Sequence, residues 1–311
     1  MPELIAVVGP TAAGKSELAL RLCEAFDGEL VSVDSMQIYR GMDIGTAKPT
    51  ADERARVPHH LIDICDPDRT FSAAEFADLA HRAIADIHSR GKLPVLCGGT
   101  GLYMDSIVNR LSFGELKADE TLREELRTLA EKEGVSALHR ILEKEDPVAA
   151  AAIHENNVKR VIRAIEICRS SGMTKTDWDD KAARAEEPYD ALWIGVGARD
   201  RETLYRRADK RVDLMVKAGL PEEVRRLWEA GCFEKNSTAS AAIGYKEFFP
   251  YLRGESSLDA CTEGLKTATR HYIKRQLTWL ARNEKIRWFF REDYPDGEAM
   301  FRAVSQEISP M

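Results

Sequence analysis

Residues 4–22, which read LIAVVGPTAAGKSELALRL, decide the fold expected for this 311-residue chain. Residues 4–8 are a short apolar run, typical of a buried strand. The next eight residues match the phosphate-binding pattern G-x-x-x-x-G-K-[ST] without a mismatch, and strong helix formers follow from Glu17 onward. A strand, a glycine-containing loop and a helix in this order predict a site for a ligand with two or more phosphates.

The chemistry of this loop explains its residue types. Glycine permits backbone torsions that turn successive N–H groups toward an anion, and the following helix adds the positive end of its dipole. Lys15 can reach terminal phosphate oxygens, and the Ser16 hydroxyl is placed to ligate Mg²⁺, the cofactor that we expect. The predicted phosphate-binding residues are Gly9, Pro10, Thr11, Ala12, Ala13, Gly14, Lys15 and Ser16.

The composition limits the class of protein. Hydrophobic residues make up 44% and charged residues 31%, which is typical of a soluble protein. No run approaches the ~18 apolar residues of a membrane helix, and no membrane or protein partner is implied. The six cysteines are widely spaced, which excludes compact zinc motifs and favours a reduced, cytoplasmic setting.

The distribution of charge modifies what the net charge implies. A formal charge of −7 argues against a protein that coats nucleic acid. Three stretches are nevertheless basic, at 159–169, 199–211 and 270–291. Because phosphates respond to the local surface, these stretches are candidates for nucleic-acid contact.

The pattern of strands and helices predicts two domains. Apolar strands alternate with helices up to residue 114 and again from 189 to 311, as in a parallel sheet covered by helices. Between them, helical patterns at 119–133, 135–145 and 156–171 and a polar stretch at 177–188 contain no convincing strand. We therefore predict an α/β fold, with a P-loop NTPase-like parallel sheet at 1–114 and 189–311 and an inserted all-helical domain at 115–188.

Candidate reactive groups follow the predicted strands. Asp34 ends one strand, Thr100 lies in a second glycine turn at 98–103, and Arg207 and Arg211 share one face of a helix. Phosphoryl transfer from ATP and transfer of a carbon group from a diphosphate both fit this set. A non-catalytic RNA-binding NTPase switch is a further reading, and residue chemistry alone leaves all three open.

Further strings occur in order after the phosphate-binding loop, at 34–39, 43–49, 58–63, 98–103, 156–164, 243–245 and 274–279. Together they resemble the bacterial tRNA dimethylallyltransferase (isopentenyl-diphosphate:tRNA transferase) family from end to end. The resemblance implies that the loop holds dimethylallyl diphosphate, although the motif alone indicates ATP. The dimethylallyl group would pass to N6 of adenosine 37 beside the tRNA anticodon, giving N6-dimethylallyladenosine and diphosphate.

The resemblance also implies roles for matching residues. Asp34 would take a proton from the N6 amine. The leaving diphosphate would be held by Thr11, Lys15, Ser16 with Mg²⁺, and Arg211, with Arg207 as a further partner. The insertion would grip the anticodon stem-loop, and the implied tRNA contacts are Asp34, Ser35, Met36, Gln37, Thr100, Arg123, Lys159, Arg160, Val161, Ile162, Arg163, Ala242, Ile243, Gly244 and Tyr245.

Two enzymatic alternatives remain beside this reading. One is prenyl transfer to free adenine nucleotides, and the other is a P-loop kinase for a small molecule. Both leave the basic faces of the helical insertion and of the last long helix without a purpose, so the sequence favours tRNA as the acceptor.

Overall fold

The computed structural model describes residues 1–108, 119–183 and 187–309. The chain forms two compact units, one made of Met1–Val108 with Tyr189–Met311 and the other of Asn109–Pro188. The domain boundary predicted after residue 114 falls at 109–118, outside the described residues.

One parallel sheet lies at the centre of the first unit. Its strands are β1 (Leu4–Val8), β2 (Gly28–Val33), β3 (His59–His60), β4 (Leu93–Gly98), β5 (Ala191–Gly197) and β6 (Arg287–Phe290). Within the described residues they form a six-stranded sheet in the order β3-β2-β4-β1-β5-β6, and every neighbouring pair is parallel. This arrangement confirms the predicted α/β fold.

Strand β3 is shorter than the predicted strand at 58–63. The backbone leaves the extended conformation directly after His60, because Leu61 and Asp63 have φ angles of 63° and 58°. A left-handed residue cannot continue a β-ladder, so the strand ends there.

The helices, in chain order, are α1 (Lys15–Ala25), α2 (Ala51–Arg56), α3 (Ala73–Ser89), α4 (Gly101–Val108), α5 (Glu120–Glu133), α6 (Val135–Glu145), α7 (Pro147–Ala152), α8 (Val158–Ser171), α9 (Lys175–Ala183), α10 (Arg201–Lys217), α11 (Leu220–Glu229), α12 (Cys232–Lys235), α13 (Ser237–Ser240), α14 (Phe249–Leu252), α15 (Leu258–Leu280) and α16 (Gly297–Ile308). Short 3₁₀ helices occur at Lys246–Phe248 and Arg291–Asp293. Helices α5 to α9 belong to the second unit, and the others flank the sheet.

The sheet separates two apolar cores. Alternate residues of β1 face opposite sides, so Leu4 and Val8 enter one core while Ile5 and Val7 enter the other. The strands are buried on both faces, as expected for a parallel sheet between helices.

In the second unit, the structure adds two helices that the sequence analysis missed. The buried carboxylate of Asp146 accepts the Ala149 N–H at 2.9 Å and thereby caps α7. The same carboxylate accepts the Thr176 N–H at 2.8 Å and its hydroxyl at 2.9 Å, at the start of α9. The side chain of one aspartate thus caps one helix and holds the start of another, in stretches where the sequence analysis predicted no helix.

A buried carboxylate also joins α5 to α8. Glu166 is 0% exposed and binds the guanidinium groups of Arg123 and Arg163, at 2.9 Å and 2.6 Å, as well as the Asp119 N–H at 2.9 Å. Burial raises the pKa of Glu166, but these hydrogen bonds outweigh it and hold the pKa below its ordinary value.

We expect Glu166→Gln to lower the free energy of unfolding of the second unit by about 3 kcal/mol, because it leaves two arginines without their anion. Since the folded pKa is depressed, the stabilisation is present above the unfolded pKa and is lost as the pH falls through the folded value. Urea titrations followed by circular dichroism at pH 7 and pH 4 measure both effects. Glu143→Gln, on an exposed position of α6, is the control, and equal losses in the two variants would contradict this account.

Candidate functional site

The loop between β1 and α1 requires glycine at two positions. At Gly9 the φ angle is +154°, and a Cβ there would lie 2.1 Å from the carbonyl oxygen of Val196 in β5. Gly14 has a φ of +95° and is the N-cap of α1. The loop can therefore pass directly beside β5 and present its N–H groups at the start of the helix.

A cavity of about 230 Å³ lies at the carboxyl edge of the sheet. Lys15 and Ser16 line it from the loop, Asp34 lines it from the end of β2, and Arg211 reaches it from α10. We call it the phosphate cavity. It brings together groups that lie almost two hundred residues apart in the sequence.

A second cavity of about 240 Å³ meets the phosphate cavity. We call it the apolar cavity, because its lining includes Met36, Val212, Met215, Ile243, Leu265 and Tyr272. The two cavities share the lining residues Thr11, Asp34, Thr46 and Arg211. Asp34 and Arg211 therefore stand where a cationic compartment joins an apolar one.

Asp34 is held by one oxygen of its carboxylate. Its Oδ1 accepts the N–H groups of Met36 at 2.8 Å and Gln37 at 3.3 Å, while Oδ2 has no hydrogen-bond partner in the described ranges. Burial raises the pKa of Asp34, against the opposing effects of those hydrogen bonds and of Lys15 and Arg211. A fixed carboxyl group with one uncommitted oxygen and a raised pKa is suited to accept a proton.

Two cations face Asp34 across the phosphate cavity. Burial lowers the pKa of Lys15 to about 8, and its Nζ donates to the carbonyl oxygen of Pro10 at 2.8 Å. Burial also lowers the pKa of Arg211, whereas Asp34 raises it. Neither cation forms an ion pair within residues 1–108, 119–183 and 187–309, so both are available to an anionic ligand.

Arg207, a further predicted diphosphate partner, has a different environment from Arg211. It does not line either cavity among the described residues, and its Nη2 is 3.7 Å from the Glu292 carboxylate. Arg207 and Arg211 lie on the same helix, but the Arg207 guanidinium lies near Glu292, in the 3₁₀ helix after β6. That Arg207 holds diphosphate stays a prediction.

Sequence reasoning missed Gln276 of α15. Its Oε1 accepts the Thr11 N–H at 2.8 Å, and its Nε2 donates to the Gly99 carbonyl oxygen at 3.0 Å. The buried amide thus joins the phosphate-binding loop to the second glycine turn. Gln276 is 5% exposed, whereas its apolar neighbour Leu277 is only partly buried. The sequence signal that could have identified Gln276 is a glutamine next to apolar residues of α15.

The predicted RNA-contact residues of the first unit have different environments. Ser35, Met36, Ala242, Ile243 and Gly244 line the apolar cavity, and Gln37 lines the phosphate cavity. The Thr100 hydroxyl accepts the Ser35 N–H at 3.3 Å and so supports that lining.

Tyr245 is placed differently from its neighbours. Its ring is 0% exposed and its hydroxyl donates to Glu223 at 2.7 Å. The side chain is therefore part of the core, and its assignment as an RNA contact is not supported.

In the second unit, the string 159–163 combines exposed and buried residues. Lys159 and Arg160 are exposed on α8. Val161 and Ile162 are 0% and 5% exposed and belong to the core of this unit, because consecutive residues of a helix face different directions. The structure therefore does not support RNA contact by the side chains of Val161 and Ile162.

The two arginines assigned to RNA in this unit, Arg123 and Arg163, also have a structural partner. Both bind Glu166, and each remains partly exposed. Their guanidinium groups are held in place by that carboxylate and still reach the surface of the unit.

Comparison with known proteins identifies the family. The family model described as IPP transferase matches residues 37–284. The chain is 47% identical over 291 residues to a tRNA dimethylallyltransferase of Halalkalibacterium halodurans, covering 94% of this chain and 92% of the relative. A tRNA dimethylallyltransferase of Geobacter sulfurreducens is 47% identical over 303 residues, covering 97% and 94%.

Solved structures give the same result. A tRNA isopentenylpyrophosphate transferase from Bacillus halodurans superposes with a TM-score of 0.73 at 44% identity, covering 98% of this chain and 95% of that chain. A eukaryotic dimethylallyltransferase acting on tRNA gives a TM-score of 0.84 at 30% identity, covering 98% and 79%. On the match to its model and on these identities, the chain belongs to the IPP transferase family.

Proposed function

We propose that this protein transfers the dimethylallyl group of dimethylallyl diphosphate to N6 of adenosine 37 in tRNA. The observation that carries the proposal is the place of Asp34, where the phosphate cavity meets the apolar cavity. A diphosphate fits the compartment with the cations, and a planar base and a five-carbon group fit the apolar one. The relatives named tRNA dimethylallyltransferase support the same activity.

The reaction follows from the groups at this junction. The N6 nitrogen attacks C1 of the dimethylallyl group as the C1–O bond to diphosphate breaks, and the electron pair of that bond leaves with the diphosphate. The N6 lone pair is delocalised into the purine, so the amine needs a base, and Asp34 takes its proton. Lys15, Arg211 and the hydroxyl of Thr11 stabilise the charge that grows on the leaving diphosphate.

The residues present also fit Mg²⁺. Ser16 lines the phosphate cavity, and the described residues contain no group of three or more His, Cys, Asp or Glu that could hold a metal without a ligand. Mg²⁺ commonly takes few protein ligands and completes its shell with phosphate oxygens and water, so Ser16 together with a diphosphate suits it. When bound, Mg²⁺ would neutralise part of the charge on the diphosphate.

Exposed basic residues support tRNA over a free nucleotide as the acceptor. Lys159 and Arg160 are exposed on α8 of the second unit. In the first unit, Lys274 and Arg275 of α15 and the nearby Arg282 are exposed. A nucleotide needs no such surface, whereas an RNA backbone does. We expect the unpaired adenosine of the anticodon loop to enter the apolar cavity, because a loop base is easily extruded.

Incubation of the protein with dimethylallyl diphosphate, Mg²⁺ and unmodified tRNA tests the proposal. Mass analysis of the nucleosides should show an adenosine enlarged by one C₅H₈ unit, and its absence would refute the proposal. Asp34→Asn should bind both substrates with kcat at least about 100-fold lower, because it removes the base. Full activity of this variant would show that the proton leaves by another route.

Arg211→Gln tests the anion site, with Arg207→Gln as its matched control on the same helix. We expect the affinity for inorganic diphosphate to fall about 10- to 100-fold in Arg211→Gln, because a charge-assisted contact is lost. Arg207 is paired with Glu292, so Arg207→Gln should change the affinity less than about threefold. Isothermal titration calorimetry measures both, and equal losses would contradict the assignment.

The double variant Lys159→Ala with Arg160→Ala tests the RNA surface of α8. We expect weaker tRNA binding and a slope of log affinity against log salt that is smaller by about 1.5, because two phosphate contacts are lost. Arg163→Ala is a poorer test, since it also removes a partner of Glu166.

The control for this surface is Arg140→Ala with Lys144→Ala, two exposed basic residues one turn apart on α6. Filter-binding titrations at several salt concentrations compare the two double variants. Equal losses in both would indicate general attraction by positive charge, in place of a contact specific to α8.

A further inference from the structure

Glu223 of α11 is a buried carboxylate that the proposed reaction does not use. It is 7% exposed and accepts three consecutive backbone N–H groups, from Asp43 at 3.0 Å, Ile44 at 2.9 Å and Gly45 at 3.1 Å. The Tyr245 hydroxyl donates to it as well, at 2.7 Å. Across the described ranges no lysine, arginine or histidine pairs with it, so backbone dipoles compensate its charge.

These hydrogen bonds fix a loop that lines both cavities. The three N–H groups directly precede Thr46, which lines the phosphate cavity and the apolar cavity, and Ala47, which lines the phosphate cavity. The Gln37 amide holds the other side of the loop, donating to the carbonyl oxygens of Thr46 at 3.1 Å and Ala47 at 3.2 Å. The loop is thus held from two directions.

The same carboxylate fixes a second segment of the wall of the apolar cavity, which packs against the first, because a Cβ at Gly244 would lie 3.2 Å from the carbonyl oxygen of Gly45. Tyr245 ends the segment 242–245, whose first three residues line that cavity. The Tyr245 ring also packs on the loop, because a Cβ at Gly45 would lie 2.6 Å from it. Glu223 therefore connects the wall around Thr46 with the wall around Ile243.

We propose that Glu223 is a positioning residue that holds these two lining segments in register and thereby places the acceptor base against Asp34. The inference rests on the proposed function for the identity of the acceptor. Without the carboxylate, three backbone N–H groups lose their acceptor and the loop must shift to find others. Small displacements of reacting groups cost much of the rate, so the effect falls on turnover more than on binding.

Glu223→Gln tests this inference, because it keeps the size of the side chain and turns an –NH₂ toward N–H donors. We expect kcat per folded molecule to fall at least about tenfold, with the dissociation constants for inorganic diphosphate and tRNA within about threefold of wild type. The matched control is Glu222→Gln, an exposed position on the same helix, which should retain wild-type kcat. A purely structural role would lower the folded fraction and leave kcat per folded molecule unchanged, which would overturn the inference.

Amide hydrogen exchange gives a readout that does not depend on activity. In Glu223→Gln the amides of residues 43–45 should exchange at least about tenfold faster than in wild type and in Glu222→Gln. Unchanged exchange there would overturn the inference even if the enzyme is active. Wild-type protein without turnover on tRNA would instead refute the proposed function, so the two failures are distinguishable.

Tyr245→Phe is the second variant, for the case in which Glu223→Gln does not fold. It removes one donor to the carboxylate and leaves the three backbone donors in place. We expect kcat to fall about threefold with unchanged diphosphate affinity, because the link between the walls is weakened. Wild-type kcat in this variant would overturn the inference.

Discussion

The chemistry of the first unit depends on two cations, Lys15 and Arg211, that form no ion pair within the described residues. Lys15 and Arg211 line the phosphate cavity together with Asp34, and burial lowers the pKa of both cations. Removing charges from water without full compensation costs stability, and the glycine-containing loop, the sheet edge and α10 hold the groups there nonetheless. An anionic ligand compensates for this cost when it binds, because its negative charge pairs with the two cations in a site that is already arranged for it.

The part of this site that could be predicted from the sequence is the part built by local structure. The loop at 9–16 and the strand-end Asp34 are each determined by contiguous residues, and the parallel sheet follows from the alternation of strands and helices. Arg211 could be singled out only through the resemblance to a known family, since the i,i+4 spacing does not distinguish it from Arg207. The structure separates the two, because Arg211 lines both cavities whereas Arg207 lies near Glu292.

Tertiary hydrogen bonds could not be predicted from the sequence either. Gln276 and Glu223 act through backbone groups far away in the sequence, and a backbone group carries no sequence signal. The string 159–163 shows a related limit. One turn of α8 combines exposed basic residues with core residues, so the family motif at 159–163 reflects the packing of the helix as well as its surface.

The hydrogen bond between Thr11 and Gln276 spans 265 residues of the chain. During synthesis the phosphate-binding loop emerges among the first residues, and the helix that holds its Thr11 amide emerges near the end. Domains generally fold as units, and here the first unit needs sequence from both sides of the insertion. The loop of a nascent chain therefore lacks this hydrogen bond until α15 has left the ribosome.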